Sequence, residues 1–534
     1  MSLNQELNMV LRHDKYQKDT IGSPRISIVG GCHQSNRSMI SVLVSMADQS
    51  KLDKLKKLRE LGINPYPYSF NQTHHAEEIR NGYAKLEGKS VSAAGRMIRM
   101  RSMGKLYFID ILDGSGKIQV LAREDRVNPS AMQILKFSDI GDIIGVNGTV
   151  TKTQKGEISI EAKEITMLSK SLSTLPEKFH GLSDIETRYR KRHLDLIINP
   201  DVRKVFRDRR DIISYIRDFL DRRGYLEVET PVLQSVYGGA NAKPFKTHHN
   251  ALDADLFLRI SDELYLKRLI IGGIERVYEF SRDFRNEDVD STHNPEFTLL
   301  EFYEAYGDYN TFMGLTEELL SGLAKKMKGG YEFEYQGKPV NFKPPFKRIY
   351  FVEEIKKKTG IDISEMSDRQ AEEIADKEHL KIPVKNNYHV ADALFDKYIK
   401  SDLWNPSFLL DYPAYMCHLT KDKRGNPKLS ERFELFICNK EICNSYSELT
   451  DPIEQREKFN DQVAEKRKGD DEMPPFDEDF LDAMEYGMPP TAGIGIGIDR
   501  LVMLLTDNVS IKEILLFPSV RPEKNQAKDQ RKEG

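Results

Sequence analysis

The sequence predicts an α+β protein with a small closed β-barrel first and a larger domain of antiparallel strands and flanking helices after it. Three observations predict this. The chain has 534 residues, too many for one ordinary core. From Val91 to about Leu172 five short strand-like runs follow one another, parted by glycine-containing turns, which is the cadence of a small barrel. Beyond residue 201, strands pair locally and alternate with helical stretches, without the βαβ rhythm of a parallel nucleotide-binding sheet.

Taken in order, residues 1–50 have few acids, scattered Arg and Lys and a Gly30-Gly31 break. They read as a disordered N-terminal extension, with an organellar transit peptide as the alternative; Met46 stands just before a clean helical start. Lys51–Gly62 puts Leu52, Leu55 and Leu58 on one helical stripe, ended by Gly62. The runs "VSAAGRMIRMR", "KLYFIDILD", "GKIQVLARE", "GDIIGVNGTVTKT" and "GEISIEAKEITML" are the five barrel strands. Residues 51–175 are therefore expected to be an oligonucleotide-binding (OB) barrel with a leading helix, a fold that binds on one open face. An Arg-dense linker helix is expected over 176–200, followed by the second domain over 201–524 and a short tail, 525–534. Within the second domain, "KVFRDRRDIISYIRDFLDRRG" is amphipathic, with Ile212, Ile216, Phe219 and Leu220 on one face and Gly224 at its C-terminal cap. "YLEVETP" reads as an alternating strand ended by Pro231. A helical insertion is expected between about 350 and 400.

Composition narrows the function. Hydrophobic residues make up 39% and charged residues 31%, a soluble globular mixture rather than a disordered one. The net charge of −4 does not advertise nucleic-acid binding, although local basic stripes remain compatible with it. The four cysteines, Cys32, Cys417, Cys438 and Cys443, include no CxxC pair, so they are expected to be reduced thiols of a cytoplasmic protein. No apolar run approaches the ~18 residues of a membrane span. A phosphate-binding GxxxxGK[ST] loop, a dinucleotide fingerprint and zinc-ligand spacing are all missing from the sequence.

Three separated pieces gain meaning together. The first is helix–Gly–strand–Pro, "DFLDRRGYLEVETP" (Asp218 to Pro231). The second is "FRNEDVDSTHNPEF" (Phe284 to Phe297), a loop between two strand-like runs. The third is "GIGIGIDR" (Gly493 to Arg500), alternating glycines on a strand that opens a helix. In this order the sequence resembles the class II aminoacyl-tRNA synthetases, whose motifs 1, 2 and 3 these pieces match, and most nearly the lysyl-tRNA synthetases of subclass IIb. "LPEKFHGLSDIETRYRKRHLDLI", "GGANAKPF", "ERFELF", "EICNSYSELTDP" and "LLFPSVRPE" carry the same resemblance, which covers roughly Lys51 to Glu523. It implies a class II catalytic domain, ATP and L-lysine as substrates, tRNA(Lys) as acceptor, Mg²⁺ as cofactor, and a homodimer through Asp218 to Pro231. An aspartyl or asparaginyl ligase of the same subclass and an inactive RNA-binding paralogue are the alternatives.

The resemblance also implies residue roles. Arg285 and Arg500 are the catalytic cations, and Arg285 spans the α-phosphate and the amino-acid carboxylate. Glu287 and Phe297 hold adenine, and His293 reaches the outer phosphates. Period-two alternation puts Arg285 on the face of Ser281 and Asp283, and Phe297, Glu301 and Tyr303 on one face of the return strand. An arginine fork suits phosphate and carboxylate together. In "ERFELFICNKEICNSYSEL", an Asn439-Lys440 turn pairs Cys438 with Glu441 and Glu434 with Ser445, so Glu434, Cys438 and Glu441 point one way. On the residues alone this hairpin is open to two readings, a charged solvent-facing surface or a cation site; the resemblance implies Mg²⁺ on Glu434 and Glu441, with Glu434 also at ATP. For lysine it implies Glu263 and Gly239 at the α-amino group, Asn444 and Arg285 at the carboxylate, and Glu448, Tyr303 and Tyr446 at the side-chain ammonium. In the barrel, Arg101, Phe108, Gln119 and Glu157 match anticodon-reading positions, whereas periodicity alone leaves Phe108 equally a core residue. The basic run Arg188 to Arg192 is open between a tRNA contact and an exposed helix face. The N-terminal leader lacks the Lys-rich helix of the family's animal and fungal members.

Overall fold

The computed structural model describes residues 48–176, 182, 184–467 and 473–522; most of the N-terminal extension and the C-terminal tail lie outside them. The chain divides into two compact units, 1–177 and 178–534.

In the first unit, α1 (Gln49–Glu60) starts where Asp48 accepts from the Ser50 N–H at 3.0 Å. Leu55 and Leu58 are buried as the stripe predicts, but Leu52 is only half-buried. Lys51 takes the third buried place, its stem covered and its ammonium donating to the Ser173 carbonyl at 2.9 Å. The barrel strands are β1 (Ser90–Met103), β2 (Leu106–Leu112), β3 (Lys117–Arg123), β4 (Ile143–Lys152) and β5 (Ile158–Ser169). They close in the order β1-β2-β3-β5-β4, with β3 and β5 parallel. Ile109, Ile111, Val120, Ala122 and Val146 fill the barrel. Phe108 alternates to the outside and is half-buried, so it is not barrel core. A helix the strand pattern does not show, α2 (Pro129–Phe137), lies between β3 and β4, with Pro129 in its first turn and Ala131, Ile134 and Leu135 buried.

The second unit opens with α3 (Ile185–Arg190) and α4 (Arg192–Ile198). Neither open reading of their basic run describes Arg192, which is fully buried, ion-paired to Asp195 at 2.6 Å and donating to the carbonyls of Lys512, Leu515 and Leu516. Arg188 pairs with Asp195 and Glu513. Both arginines fasten the unit's first helices to its last described segment. The amphipathic helix α5 (Val202–Asp221) buries Ile212, Ile216, Phe219 and Leu220 as expected. The strand expected over Tyr225–Pro231 shrinks to β6 (Leu226–Glu227), after which the Val228 N–H reaches the Tyr278 carbonyl and the Thr230 N–H the Glu279 carboxylate of the neighbouring strand.

The main sheet has eight strands. They are β6, β7 (Arg276–Phe284), β8 (Glu296–Ala305), β9 (Lys347–Tyr350), β10 (Ser407–Leu410), β11 (Arg432–Ile437), β12 (Lys440–Ser447) and β13 (Thr491–Gly497). Their order is β9-β10-β11-β12-β13-β8-β7-β6, antiparallel except for the outermost pair at each edge. Period-two alternation divides its residues. Leu300, Phe302, Phe433, Leu435, Ile494 and Ile496 are buried in one core with residues of α5, α7 (Tyr309–Lys328) and α12 (Ile498–Leu505). Their strand neighbours, Glu301, Tyr303, Arg432, Glu434, Gly493 and Gly495, line a cavity instead. Helix α6 (Glu263–Ile271) precedes β7, and the expected insertion forms α8 (Phe351–Thr359), α9 (Asp368–Lys377) and α10 (Asn387–Tyr398), with its own core around Ile355, Ala371 and Leu394.

The β11–β12 hairpin corrects the sequence reading. Its turn residues are Cys438 and Asn439, both at positive φ (51° and 61°), so Ile437 pairs with Lys440, Phe436 with Glu441, and Glu434 with Asn444. That is a primed hairpin turn, one residue earlier than expected. Cys438 is buried in the apolar core, not aligned with the two glutamates. The earlier turn shifts the pairing by two residues, so Glu434 and Glu441 still line one cavity, and a bulge between Leu435 and Phe436 in the pairing lets adjacent Ile442 and Cys443 both enter the core.

Phe302 reports on the core without touching the cavity. It is fully buried, stacked on Phe312 at 5.3 Å and edge-on to Tyr225 at 5.5 Å. Phe302→Ala is expected to destabilise the second unit by about 3–5 kcal/mol in chemical denaturation. A loss within error of zero would show that this layer does not hold the sheet.

Candidate active site

The cavity lies on the polar face of the sheet, has a volume of about 720 Å³, and is also lined by Tyr388 and Asp392 of the insertion. Its two ends are chemically opposite.

One end is cationic. Arg285 follows β7, and its N–H donates to the Pro295 carbonyl at 2.9 Å, closing the hairpin lip. Its guanidinium stands 5.1 Å from the centre of the Phe297 ring, and its buried Nε has no hydrogen-bond partner among the described residues. A donor desolvated without an acceptor is costly unless a ligand supplies one. Arg500, in the first turn of α12, donates to the Glu441 carbonyl at 3.0 Å and to its Oε2 at 3.2 Å, and reaches His293 Nε2 at 3.1 Å. Nδ1 of His293 meets Asp290 at 2.8 Å. Glu287 lies exposed at the rim. Beside this end, Glu434 pairs with Arg432 at 2.5 Å. Burial pushes the Glu434 carboxyl up to about 7; Arg432 opposes that rise and Glu441 adds to it. Glu434 and Glu441 thus offer hard oxygen donors to one space, the donor set that suits Mg²⁺ shared with phosphates.

The other end is anionic. Glu263 sits in the first turn of α6, and Lys267 follows it by one turn. The Lys267 ammonium is fully buried, 2.5 Å from Glu263 Oε1, and also meets the Glu448 carboxylate. No donor is aligned on either Glu448 oxygen, so this second contact is charge pairing. The ammonium also lies 5.4 Å from the centre of the Tyr446 ring. Burial pushes the Glu448 carboxyl well above its usual range, with Lys267 opposing. Tyr303 and Ser261 donate to the two oxygens of Glu301 at 2.7 and 2.8 Å. Burial pushes Glu301 up to about 8, helped by Glu263 and Asp283. Glycine is required at two places. Gly239 holds φ +84°, and a Cβ there would meet Ser261 Oγ at 2.8 Å. A Cβ on Gly493 would stand 2.2 Å from both Glu448 and Tyr303.

Gly239, Glu263, Arg285, Glu287, His293, Phe297, Tyr303, Glu434, Glu441, Asn444, Tyr446 and Arg500 all line this one cavity, and the Glu448 carboxylate stands beside Tyr303 in the space that a Gly493 side chain would fill. Asn444 accepts from Arg432 Nε at 3.1 Å. Sequence reasoning missed Lys267, Arg432 and Ser261. The four-residue step from Glu263 to Lys267 was the one available signal, since it places both on one helix face. The barrel residues lie apart in the first unit. Arg101 pairs with Phe108 across β1 and β2, its guanidinium 5.9 Å from the ring centre. Gln119 sits on β3 and accepts from Ser159 at 3.2 Å, and Glu157 is exposed before β5.

Comparison with known proteins agrees with this architecture. Residues 184–521 match the family model of tRNA synthetases class II (D, K and N), and residues 91–168 match that of the OB-fold nucleic acid binding domain. The chain is 49% identical over 475 residues to the lysine–tRNA ligase of Carboxydothermus hydrogenoformans, covering 88% of this chain and 97% of that one. It is 50% identical to that of Thermoanaerobacter pseudethanolicus over 88% and 95% of the two chains, and 46% identical to that of Syntrophomonas wolfei over 91% and 99%. An OB barrel, a class II sheet and relatives matched nearly end to end leave one assignment: the chain belongs to the class II tRNA synthetases of the D, K and N group, in the family of the lysine–tRNA ligases.

Proposed function

We propose that the cavity catalyses ATP-dependent ligation of L-lysine to tRNA, with lysyl-adenylate as the intermediate and pyrophosphate as the first product. The observation that carries this reading is the pairing of opposite ends in one cavity: Arg285 and Arg500 where a triphosphate must go, and buried Glu263 and Glu448 where a diamine must go. In the first step the lysine carboxylate attacks the α-phosphorus of ATP in line. The attacker is already ionised, so no protein base or nucleophile is needed. Arg285 binds the carboxylate and the α-phosphate together, which brings two anions into contact and stabilises the charge that develops between them. Arg500 and His293 hold the outer phosphates, and adenine stacks on Phe297 with Glu287 at its exocyclic amine. Mg²⁺ held by Glu434 and Glu441 supplies further neutralisation of phosphate charge.

Selectivity follows from the anionic end. Glu263 and the Gly239 backbone take the α-amino group, Asn444 lies by the carboxylate, and Glu448 with Tyr303 and Tyr446 takes the side-chain ammonium. An uncharged analogue leaves a buried carboxylate short of its counter-ion and is rejected by orders of magnitude. An aspartyl or asparaginyl substrate is disfavoured because its acyl end faces the carboxylates. The outer barrel face around Arg101, Phe108, Gln119 and Glu157 reads the unpaired anticodon bases of tRNA by stacking and edge contacts. The chain forms a homodimer through Asp218 to Pro231. Supporting this, Leu226 is 52% exposed on the edge strand β6, with Val232 and Leu233 exposed nearby.

Amino-acid-dependent exchange of pyrophosphate into ATP tests the chemistry. Exchange is expected with lysine alone among the twenty amino acids, and Arg285→Ala is expected to lower it by about 10²–10³-fold or more with melting nearly unchanged. Exchange with aspartate or asparagine would overturn the substrate, and a near-normal R285A rate would remove Arg285 from the site.

Phe108→Ala separates the two units. It is expected to leave lysine-dependent exchange intact and to weaken tRNA charging about 5- to 100-fold, the range of one lost stacking contact. Equal damage to both steps would make Phe108 structural.

Sedimentation tests the dimer. The native chain is expected to sediment as a dimer, and Leu226→Asp to weaken association. A fully active monomer would refute it.

A further inference from the structure

We propose that Asp262, Asp283 and Glu301 form a binding site for a divalent cation beneath the cavity, separate from the pair Glu434 and Glu441. The proposal stands on the geometry of the second unit and does not depend on the ligase reading.

All three side chains are buried, Asp262 and Asp283 completely. One oxygen from each lies within 4.8 Å of the other two. A cation that takes oxygen ligands at about 2.3–2.6 Å spans roughly 5 Å between opposed ligands, so the three oxygens fit around one ion. Carboxylates are ligands for Mg²⁺, Ca²⁺ and Mn²⁺.

The conduct of Asp262 is an independent sign of a missing ligand. It occupies the N-cap position of α6, where an aspartate ordinarily accepts from the helix's first N–H groups. Its side chain makes no such bond, and neither oxygen has a hydrogen-bond partner among the described residues. It faces two other carboxylates instead.

Local cations do not settle this charge. Arg259 Nε lies 3.1 Å from Asp283, but its Nη1 is bound to Glu279 at 2.7 Å, so one guanidinium serves two acids; Arg285 also acts on Asp283, and the Ser281 hydroxyl donates to it at 3.3 Å, which still leaves two guanidinium charges against the four acids Asp262, Glu279, Asp283 and Glu301. Glu301 receives only the neutral hydroxyls of Ser261 and Tyr303. Three carboxylates at such distances in a dry interior repel strongly unless a cation or a proton intervenes. A cation there would lock Glu301, and through it Tyr303, in the floor of the cavity.

The test uses the full chain without ATP, stripped with chelator and reloaded with Mn²⁺ as the probe; Ca²⁺ is then used to displace it. Wild type and Glu434→Gln are each expected to retain one Mn²⁺ per chain, read by paramagnetic resonance, and to melt at higher temperature with metal than without. Asp262→Asn and Asp283→Asn are expected to bind at least tenfold more weakly and to lose the metal-dependent rise in Tm. No Mn²⁺ retained by Glu434→Gln, or undiminished binding in both aspartate variants, would overturn the site and leave a proton shared among the three acids. Should the aspartate variants fail to fold, a Glu434→Gln chain whose Tm ignores Mn²⁺ and Ca²⁺ overturns it equally.

Discussion

The Lys267 ammonium is the contact on which the substrate end of this molecule depends. Burying Glu263 and Glu448 side by side is prohibitive unless a cation joins them, because desolvation and mutual repulsion act in the same direction. Lys267 supplies that cation from within α6. Its partners come from two places far apart in the chain, so the helix and the end of β12 must be in position before either acid is stable. The apolar face of α6 does the rest: Leu266 and Ile270 pack with Val277, Tyr303 and Ala305 of β7 and β8. The result is a pair of carboxylates held apart from water and already oriented, an arrangement that suits the proposed ammonium ligand without having to be assembled by it.

The same economy governs the sheet. Each strand contributes alternately to a hydrophobic layer and to the cavity wall, so the core that stabilises the unit is also the mount that positions the chemistry. Phe433 and Leu435 are driven into the core, and Arg432 and Glu434 face the cavity as a consequence. On β13 the isoleucines play the first part and the glycines the second. Strands carry Phe297, Tyr303, Glu434, Glu441, Asn444 and Tyr446, helices carry Glu263 and Arg500, and His293 and Glu287 lie exposed in the hairpin loop.

Much of this was legible in the sequence, and the gaps have physical causes. Period two is a local property, so the barrel strands, the face shared by Phe297, Glu301 and Tyr303, and the core face of α5 could be read directly. Register depends on the turn, and here the pattern misled: Asn439 sits at positive φ as expected, but its partner in the turn is Cys438, not Lys440. Moving a two-residue turn by one residue shifts the pairing by two and so preserves the faces, which is why Glu434 and Glu441 face one cavity although the predicted pairing was wrong. Buried charges were the other failure. Arg192, Lys267 and Arg432 belong to stretches that look like solvated surface, and their counter-ions or acceptors stand mostly on other elements. Nothing local distinguishes an arginine that caps three carbonyls in the interior from one that waits for a phosphate.

The alternating glycines decide how far the cavity reaches. Gly493 is the point where β13 is thinnest, and any side chain there would collide with both Glu448 and Tyr303. With no side chain in that place, the Glu448 carboxylate and the Tyr303 ring lie against the cavity face of β13. On the proposed function, selectivity is set less by the width of the cavity than by the depth at which its acid lies: a short amine leaves Glu448 with Lys267 alone, and the proposed lysine carries a second cation to it. Lys267 makes the empty state tolerable, and the unaligned oxygens of Glu448 keep it from being fully satisfied. A site poised in this way gains most from the one ligand that brings an ammonium to that depth.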